Sequence, residues 1–281
     1  MPVRIGILHP GEMGISIAAS ALHSGQDVYW CEAGRSQASR QRAIGAGLKS
    51  LPDLQELCDT CEVLISVCPP HGASQLASEV LACNYQGIYA DLNAIAPDTV
   101  KTIAASMSND DISFVDGGII GMPAIKPGTT WLYLSGTEAE KIAECFSNGP
   151  LETSVLGDEI GQASGLKMCF AANSKGTAAL HTAILGAAEA MGVRQALEKQ
   201  WEIYTPGFTE KSQARIKQVA KKAWRFSGEM KEIAATLEAS GMPPAFFLAA
   251  AEIYERQTAF KDAAEEPDIE EVLEMVSRKP E

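Results

Sequence analysis

The sequence predicts an α/β domain at residues 1–157, followed by an all-helical domain at residues 158–281. In the first half of the chain, short runs rich in β-branched and aromatic residues alternate with helical segments, which is the pattern of a parallel sheet covered by helices. A turn that contains two glycines joins the first of these runs to a helix of small residues. From about Asp158 strand-like runs cease, and alanine, glutamate, lysine and leucine dominate.

The composition limits the classes of partner. The 281 residues are 46% apolar, enough to bury a sizeable core. With 23 basic and 36 acidic residues, the net charge of -13 disfavours nucleic acid and anionic membranes. We find neither a signal peptide nor a run suited to a membrane span. Seven cysteines, an odd number, suit a reducing compartment, so we expect a cytoplasmic protein. Cys58 and Cys61 have the spacing of a metal or redox pair, but no second pair or nearby histidine completes a site, so we expect no bound metal.

The elements of the first domain follow one another in a regular order. Helices are expected at GEMGISIAASALHSG, closed by Gly25, at PDLQELCDT, opened by Pro52 and Asp53, and at TEAEKIAECFSN. The expected strands are VRIGIL, DVYWC, EVLISVC, GIYADL, ISFVDG and TTWLYLSG.

The second domain is expected to begin with a long helix. The segment from Glu159 to Met191 has no proline and can form one helix of about 33 residues, roughly 50 Å long. Its glycines suit the close approach of another helix. We expect this helix to lead into a bundle and to contribute to a subunit interface. The segment YTPGF, Tyr204 to Phe208, then separates further helices.

The turn after the first strand has the position of a phosphate-binding turn. Glycines in such turns let the backbone approach a pyrophosphate, and the following helix offers N–H groups and a partial positive charge. Gly11 and Gly14 match the last two glycines of Gly-x-Gly-x-x-Gly, whereas His9 replaces the first. The alternative is a plain turn between a strand and a helix.

The end of the second strand bears on the choice of dinucleotide. NAD sites place an acidic side chain there, and NADP sites place an arginine for the 2′-phosphate. The segment WCEAGRSQASRQR offers both Glu32 and Arg35. Arg35 and Ser36 can form a phosphate pocket, supported by Arg40 or Arg42, so the pattern favours NADP, with NAD as the alternative.

Several segments together resemble a known family. The order GILHPGEMG, CEAGRS, SVCPP, DLNAIAPDT, DGGIIGMPAIKPGTTWLYLSG and GQASGLKMCFAANSKG is similar to the β-hydroxyacid dehydrogenases related to 6-phosphogluconate dehydrogenase. More narrowly, the chain resembles a little-characterised branch whose helical C-terminal domain has no assigned role. The resemblance covers nearly the whole chain. It implies an N-terminal Rossmann domain, a helical second domain and a homodimer in which the second domain supplies much of the interface.

The resemblance also implies roles for individual residues. Lys167 matches the catalytic lysine of the family. Asn93 falls where the family has a small hydroxyl residue near the substrate carboxylate, and Ile120, Gly121 and Met122 fall where backbone amides receive that carboxylate. The implied cofactor contacts are Pro10, Gly11, Glu12, Met13 and Gly14 for the pyrophosphate, Arg35 and Ser36 for the 2′-phosphate, and Cys68, Pro69 and Pro70 beside the nicotinamide ribose.

Three departures from the family pattern affect the substrate site. His9 replaces a glycine, IIGM lacks the usual Ser-Gly-Gly, and Ala171 stands where the family has an asparagine four residues after the lysine. On an ideal helix, Ser174 returns to within about 20° of the direction of Lys167, and Lys175 to within about 80°. Either residue can take part in an altered substrate pocket.

The expected activity is NADP-dependent hydride transfer between nicotinamide and a 3-hydroxy acid or a related alcohol or carbonyl substrate. Lys167 is expected to stabilise developing charge on the substrate oxygen and to relay a proton. Two alternatives stay open. One is an imine or ketone reductase on the same scaffold, which the altered carboxylate-binding pattern supports. The other is a non-catalytic sensor that binds NADP(H).

Overall fold

A computed structural model describes residues 1–108, 112–261 and 263–278. Its residue contacts divide the chain into two compact units, Met1–Met168 and Cys169–Glu281. Every regular element described after Gly157 is helical, so the predicted fold class is confirmed. The contact division falls within a helix, and the expected functional boundary at residues 157/158 stays a prediction.

One sheet of eight strands forms the centre of the first unit. The strands are β1 (Arg4–Ile7), β2 (Asp27–Cys31), β3 (Lys49–Leu51), β4 (Val63–Ser66), β5 (Ile88–Asp91), β6 (Ser113–Gly121), β7 (Thr130–Ser135) and β8 (Glu152–Gly157). Their order is β3-β2-β1-β4-β5-β6-β7-β8. The first six strands are parallel in the doubly wound order, β7 is antiparallel to β6, and β8 is parallel to β7.

The sheet is buried on both faces. Ile5 and Ile7 belong to one apolar cluster, while Leu64 and Tyr89 belong to the other. Strands that helices cover on both faces have continuous apolar runs in the sequence, which is why they could be predicted. All six predicted strands are present. The strands β3 and β8 were not predicted, since both lie at sheet edges and neither is a continuous apolar run.

In the described part of the chain, six helices lie between successive strands of the sheet. Asp53 caps the third helix by accepting a hydrogen bond from the Glu56 N–H at 2.9 Å, as its position predicted. Gly25 follows the first helix with a φ of +80°, which confirms the predicted stop. The helices are α1 (Glu12–His23), α2 (Gln37–Gly45), α3 (Leu54–Thr60), α4 (Ala73–Ala82), α5 (Pro97–Met107) and α6 (Ala139–Glu144).

The long helix expected over 159–191 is present from Gln162 to Ala190, but it is not α-helical throughout. An α-helix ends at Ala171, a π-helical turn occupies Ala172–Gly176, and an α-helix resumes at Thr177. The Tyr254 hydroxyl donates to the Lys175 carbonyl at 2.7 Å, so a side chain takes an acceptor of the helical ladder at this turn. The remaining helices are α7 (Gln162–Ala171), α8 (Thr177–Ala190), α9 (Arg194–Tyr204), α10 (Phe208–Ala220), α11 (Ala223–Ala239), α12 (Ala245–Glu255) and α13 (Ile269–Ser277).

The helices of the second unit have an apolar core of their own. Leu185 of α8, Ile216 of α10 and Leu273 of α13 are fully buried in one cluster. The break predicted at YTPGF is confirmed between α9 and α10. Across the described ranges, each helix is too short or too polar to cross a bilayer.

Candidate functional site

The turn between β1 and α1 is tight on one side and open on the other. A Cβ atom at Gly14 would lie 2.1 Å from the His9 carbonyl oxygen, so only glycine lets α1 start this close to the strand. A Cβ atom at Gly11 would meet none of the described atoms within 4 Å. Gly11 is also the N-cap of α1 and gives it no side-chain cap. The first N–H groups of α1 therefore suit an approaching anion, and the turn fits a pyrophosphate.

His9 stands at the position of the missing first glycine. Its carbonyl accepts a hydrogen bond from the Gly11 N–H at 2.9 Å. Its imidazole Nδ1 is buried and has no partner among the described residues. Burial, together with the Arg35 guanidinium, lowers the pKa of His9 to about 4, while Glu79 opposes this. The imidazole is therefore neutral at pH 7.

Basic side chains collect where α2 begins. Arg42 Nε donates to the Pro10 carbonyl of the glycine turn at 3.3 Å, and Arg40 donates to the carbonyls of Arg35 and Glu32 at 3.3 and 3.2 Å. Ser36 is the N-cap of α2, and its hydroxyl accepts from a backbone N–H at 3.2 Å. Arg40 thus lies in the first turn of α2, beside a helix end that itself favours anions, and Arg42, in the last turn, ties α2 to the glycine turn.

Arg35 and Glu32 differ in the hydrogen bonds that their side chains form. Arg35 Nε is buried and has no hydrogen-bond partner in the described part of the chain. The Glu32 carboxylate accepts a hydrogen bond from the Ser50 hydroxyl of β3. A buried donor without an acceptor is costly, and a phosphate oxygen would satisfy it. Another nitrogen of the Arg35 guanidinium, Nη2, donates to Cys31 Sγ at 4.0 Å. The positive charge at this end of α2 therefore suits an anionic group.

Asn93 links the loops that follow β4 and β5. Its amide oxygen accepts from the Cys68 N–H, its amide nitrogen donates to Ser66 Oγ at 2.8 Å, and its own N–H donates to Asp91 Oδ1 at 2.9 Å. Asn93 is 2% exposed. The structure thus gives Asn93 a bracing role under the Cys68 loop, and its contact with a substrate stays a prediction.

The Cys68 loop continues into a short helical turn. Pro69 follows Cys68, and Pro70 opens a 3₁₀ turn that ends at Gly72. Burial raises the pKa of Cys68 to about 12, so the thiol is neutral at pH 7. The loop lies after β4, next to the turn after β1, because these two strands are parallel neighbours. The contact of the loop with a nicotinamide ribose stays a prediction.

Lys167 is held against the end of β6. Its Nζ donates to the Ile119 carbonyl at 2.6 Å. At Gly118, a Cβ atom would lie 2.9 Å from the Cβ of Lys167 and 2.7 Å from the Ala163 carbonyl oxygen, so this glycine lets α7 pack on the strand. Ile120 and Gly121 pair with Trp131 and Thr130 of β7, and Met122 is exposed. The structure therefore brings Lys167 to the segment that was predicted to bind a carboxylate.

The buried carboxylate of Asp116 holds the start of α7. Its Oδ2 accepts from the N–H groups of Gly161 and Ser164 at 2.9 and 3.0 Å and from Ser135 Oγ at 3.1 Å, while its Oδ1 accepts from the Ser164 hydroxyl. Burial raises the pKa of Asp116, and these hydrogen bonds oppose the rise. This role of Asp116 was not predicted, because a helix cap is normally local, whereas this carboxylate comes from a strand 45 residues before Gly161.

Ser174 and Lys175 lie in the π-helical turn of the second unit. The Lys175 ammonium forms an ion pair with Glu229 and lies 4.5 Å from the centre of the Phe226 ring. Burial lowers the pKa of Lys175, and Glu229 opposes this. The angles of an ideal α-helix do not apply across the π-helical turn, so the proposed alignment of Ser174 with Lys167 loses its geometric basis. Its contact with a substrate stays a prediction.

Comparisons of sequence give two matching domains and two relatives. Residues 4–147 match the NAD binding domain of 6-phosphogluconate dehydrogenase, and residues 188–257 match a domain of unknown function, DUF1932. An uncharacterised 28.5 kDa protein of Methanothermus fervidus is 30% identical over 192 residues, covering 68% of this chain and 73% of that protein. The mitochondrial 3-hydroxyisobutyrate dehydrogenase of Drosophila melanogaster is 25% identical over 206 residues, covering 69% of this chain and 60% of that protein.

Solved structures share the fold over nearly the whole chain. A conserved protein of unknown function, described as similar in structure to 3-hydroxyacid dehydrogenases, is 28% identical with a TM-score of 0.69 over 92% of this chain and 99% of its own. A Mycobacterium tuberculosis 3-hydroxyisobutyrate dehydrogenase solved with L-serine is 17% identical, with a TM-score of 0.71, and the match covers 99% of this chain and 100% of that chain. An imine reductase variant from Myxococcus stipitatus in complex with NAD⁺ is 18% identical, with a TM-score of 0.58 over 98% and 100%. The last two show a common fold only.

Proposed function

Because the chain belongs to the β-hydroxyacid dehydrogenase-like family, in which the NAD-binding domain of 6-phosphogluconate dehydrogenase is followed by a helical domain, we propose that it is an NADP-dependent oxidoreductase. Its substrate is a small 3-hydroxy acid or a related alcohol or carbonyl compound. The observation that carries the proposal is the hydrogen bond from Lys167 to Ile119. Ile119 lies beyond the β5–β6 register pair Asp91–Asp116, so the lysine stands at the same carboxyl edge of the sheet as the glycine turn.

The choice of NADP rests on the charges at α2. Arg35 has an unsatisfied buried donor, and the Ser36 N-cap marks a helix N-terminus beside it. Arg40 and Arg42 add two positive charges, and Arg42 also holds the glycine turn through the Pro10 carbonyl. A 2′-phosphate dianion suits this surrounding better than a neutral hydroxyl does.

The chemistry divides between the cofactor and the chain. Bound nicotinamide supplies the hydride donor or acceptor at its C4 atom. The Lys167 ammonium orients the substrate oxygen, stabilises its developing negative charge and exchanges the proton that accompanies hydride transfer. Pro10 to Gly14 hold the pyrophosphate, and Cys68, Pro69 and Pro70 border the nicotinamide ribose. Ile120, Gly121 and Met122 adjoin the Lys167 contact and line the substrate end.

The Drosophila relative acts on a 3-hydroxy acid, which supports this substrate class. One feature favours the second candidate, an imine or ketone reductase. The Asn93 amide already bonds to Cys68 and Ser66, and Ala171 lacks a polar group where the family has an asparagine, so fewer side chains are ready to receive a carboxylate.

Turnover with a panel of substrates tests the proposal. The panel contains 3-hydroxy acids with NADP⁺, and 3-oxo acids, ketones and cyclic imines with NADPH. We expect turnover of at least one class, and a loss of kcat of about 100-fold or more in Lys167→Met at unchanged Kd for NADPH. Lys49→Met, which alters an exposed lysine, should match the wild type. NADPH binding without turnover of any panel member would refute the proposed oxidoreductase activity. It would favour the alternative of a non-catalytic protein that binds NADP(H).

A further inference from the structure

Strand β6 and helix α7 are joined at three successive points. The Asp116 carboxylate receives the Gly161 N–H and both donors of Ser164. Two residues further along the strand, Gly118 faces the helix so closely that a Cβ atom there would lie 2.9 Å from the Cβ of Lys167. One residue later, the Ile119 carbonyl accepts from Lys167 Nζ at 2.6 Å. The contacts of α7 with β6 thus begin at the Asp116 carboxylate and end at the Lys167 ammonium.

The helix transmits a displacement at the first contact to the last. Ser164 precedes Lys167 by three residues, which is less than one helical turn and about 4.5 Å along the axis. A rotation of the first turn of α7 about its axis would therefore move Lys167 by a similar angle. Gly118 resists translation towards the strand but does not fix the rotation, since it contributes no side chain.

The Asp116 carboxylate is well suited to fix this rotation. Both of its oxygens accept hydrogen bonds, and the donors come from two elements, β7 through Ser135 and the start of α7. Asp116 and Ser164 are 0% and 1% exposed, so water does not replace a lost bond there. Hydrogen bonds to a charged acceptor are the stronger class.

We propose that Asp116 is a positioning residue, which acts through Ser164 to set where the Lys167 ammonium meets the substrate oxygen. This inference rests on the proposed function, but the position of the ammonium can be measured without a substrate. Asp116 itself is buried under α7 and touches neither cofactor nor substrate in this assignment.

The test compares three variants. Asp116→Asn keeps the size of the side chain and presents an NH₂ group to N–H donors, and Ser164→Ala removes one hydroxyl and is the milder change. Tyr85→Phe is the matched control, because it removes a part-buried hydroxyl that bonds to the Glu62 and Ile88 carbonyls. Each full-length protein is treated with a small amine-reactive ester, and the labelling rate of each lysine is followed by mass spectrometry.

In the first two variants we expect Lys167 to be labelled at least about fivefold faster than in the wild type, with the other lysines unchanged. Tyr85→Phe should leave the Lys167 rate unaltered. Once a substrate is known, Ser164→Ala should lower kcat about tenfold or more at nearly constant KM and NADPH Kd. Tyr85→Phe should keep the wild-type kcat.

Unchanged labelling of Lys167 in both variants would overturn the inference whatever the activity. Equal acceleration in Tyr85→Phe would also overturn it, because the effect would then be general loosening. Faster labelling specific to Asp116→Asn and Ser164→Ala, in a protein that turns over no panel member, would support the positioning role while refuting the proposed enzyme.

Discussion

The carbonyl oxygen of His9 lies 2.1 Å from where any side chain at position 14 would place its Cβ atom. Gly14 is therefore required for the chain to pass from β1 into α1. A Cβ atom added at Gly11, in the same turn, would have none of the described atoms within 4 Å. Folding therefore requires glycine at position 14 but not at position 11, where the open space is proposed to admit a pyrophosphate.

Alanine at these two positions should have opposite consequences. Gly11 has a φ of -73° and a ψ of -173°, which alanine adopts easily, so Gly11→Ala should change the free energy of unfolding by less than about 0.5 kcal/mol. Its methyl group should weaken NADPH binding about tenfold or more. Gly14→Ala should lower the Tm strongly or prevent folding. Thermal unfolding and NADPH fluorescence titration measure both effects, and an unchanged NADPH affinity in Gly11→Ala would argue against a pyrophosphate at this turn.

Arg35 should decide between the two dinucleotides. Arg35→Ala removes the buried donor proposed for the 2′-phosphate, so we expect a loss of NADPH affinity of about 30-fold and a loss of NADH affinity of less than threefold. Arg4→Ala, which removes an exposed arginine paired with Glu62, serves as the control. Equal losses for NADPH and NADH in Arg35→Ala would contradict the assignment.

Asp91 should make stability depend on pH. Burial, and more weakly the Asp116 charge, raises the pKa of Asp91 from 3.8 to about 7, against the hydrogen bonds from Asn93. Because the folded pKa is the higher one, the stabilising contribution is complete below about pH 4 and is lost as the pH rises through 7. From pH 5.5 to 8.5, this group should lower the free energy of unfolding by about 2 kcal/mol.

Asp91→Asn isolates this contribution, because asparagine cannot ionise and keeps an acceptor for the Asn93 N–H. Urea unfolding of the wild type and the variant should diverge with rising pH, in favour of Asp91→Asn above pH 7. Parallel pH profiles would show that Asp91 titrates normally.

Removing either partner of the ion pair between Lys175 and Glu229 should destabilise the protein, whereas replacing both partners should cost little. Their side chains are 16% and 11% exposed, so Lys175→Met leaves a nearly buried carboxylate, and Glu229→Leu leaves a nearly buried ammonium. We expect each single change to destabilise the protein by about 3 kcal/mol and Lys175→Met with Glu229→Leu to recover most of the loss. Urea unfolding of the four proteins measures the coupling, and additive losses would show that the pair contributes nothing.

Much of the sheet was predictable, because its central strands are buried on both faces and their apolar runs are continuous. The short edge strand Lys49–Leu51 was not, since it has a polar sequence and exists only through its pairing with β2. The π-helical turn at Ala172–Gly176 was not predicted either, because it coincides with a long-range hydrogen bond from Tyr254 that no local sequence pattern reveals.

The candidate site was predictable where local sequence determines it. The Gly11–Gly14 spacing stands in the sequence itself, and the family resemblance pointed to Lys167; the roles of these residues stay predictions. Asp116 could not, because its partners Gly161 and Ser164 lie more than 40 residues away and meet it only through the packing of α7 on β6. The engagement of Asn93 with Ser66 and Cys68 is likewise a product of neighbouring strand ends.

The most direct measurement is a paired titration of the purified protein with NADPH and NADH, followed by the nicotinamide fluorescence. We expect saturable binding of NADPH and binding of NADH that is at least about tenfold weaker, because only NADPH carries the 2′-phosphate that is proposed to lie at Arg35 and the N-terminus of α2. Absence of binding by both dinucleotides would contradict the account at its foundation.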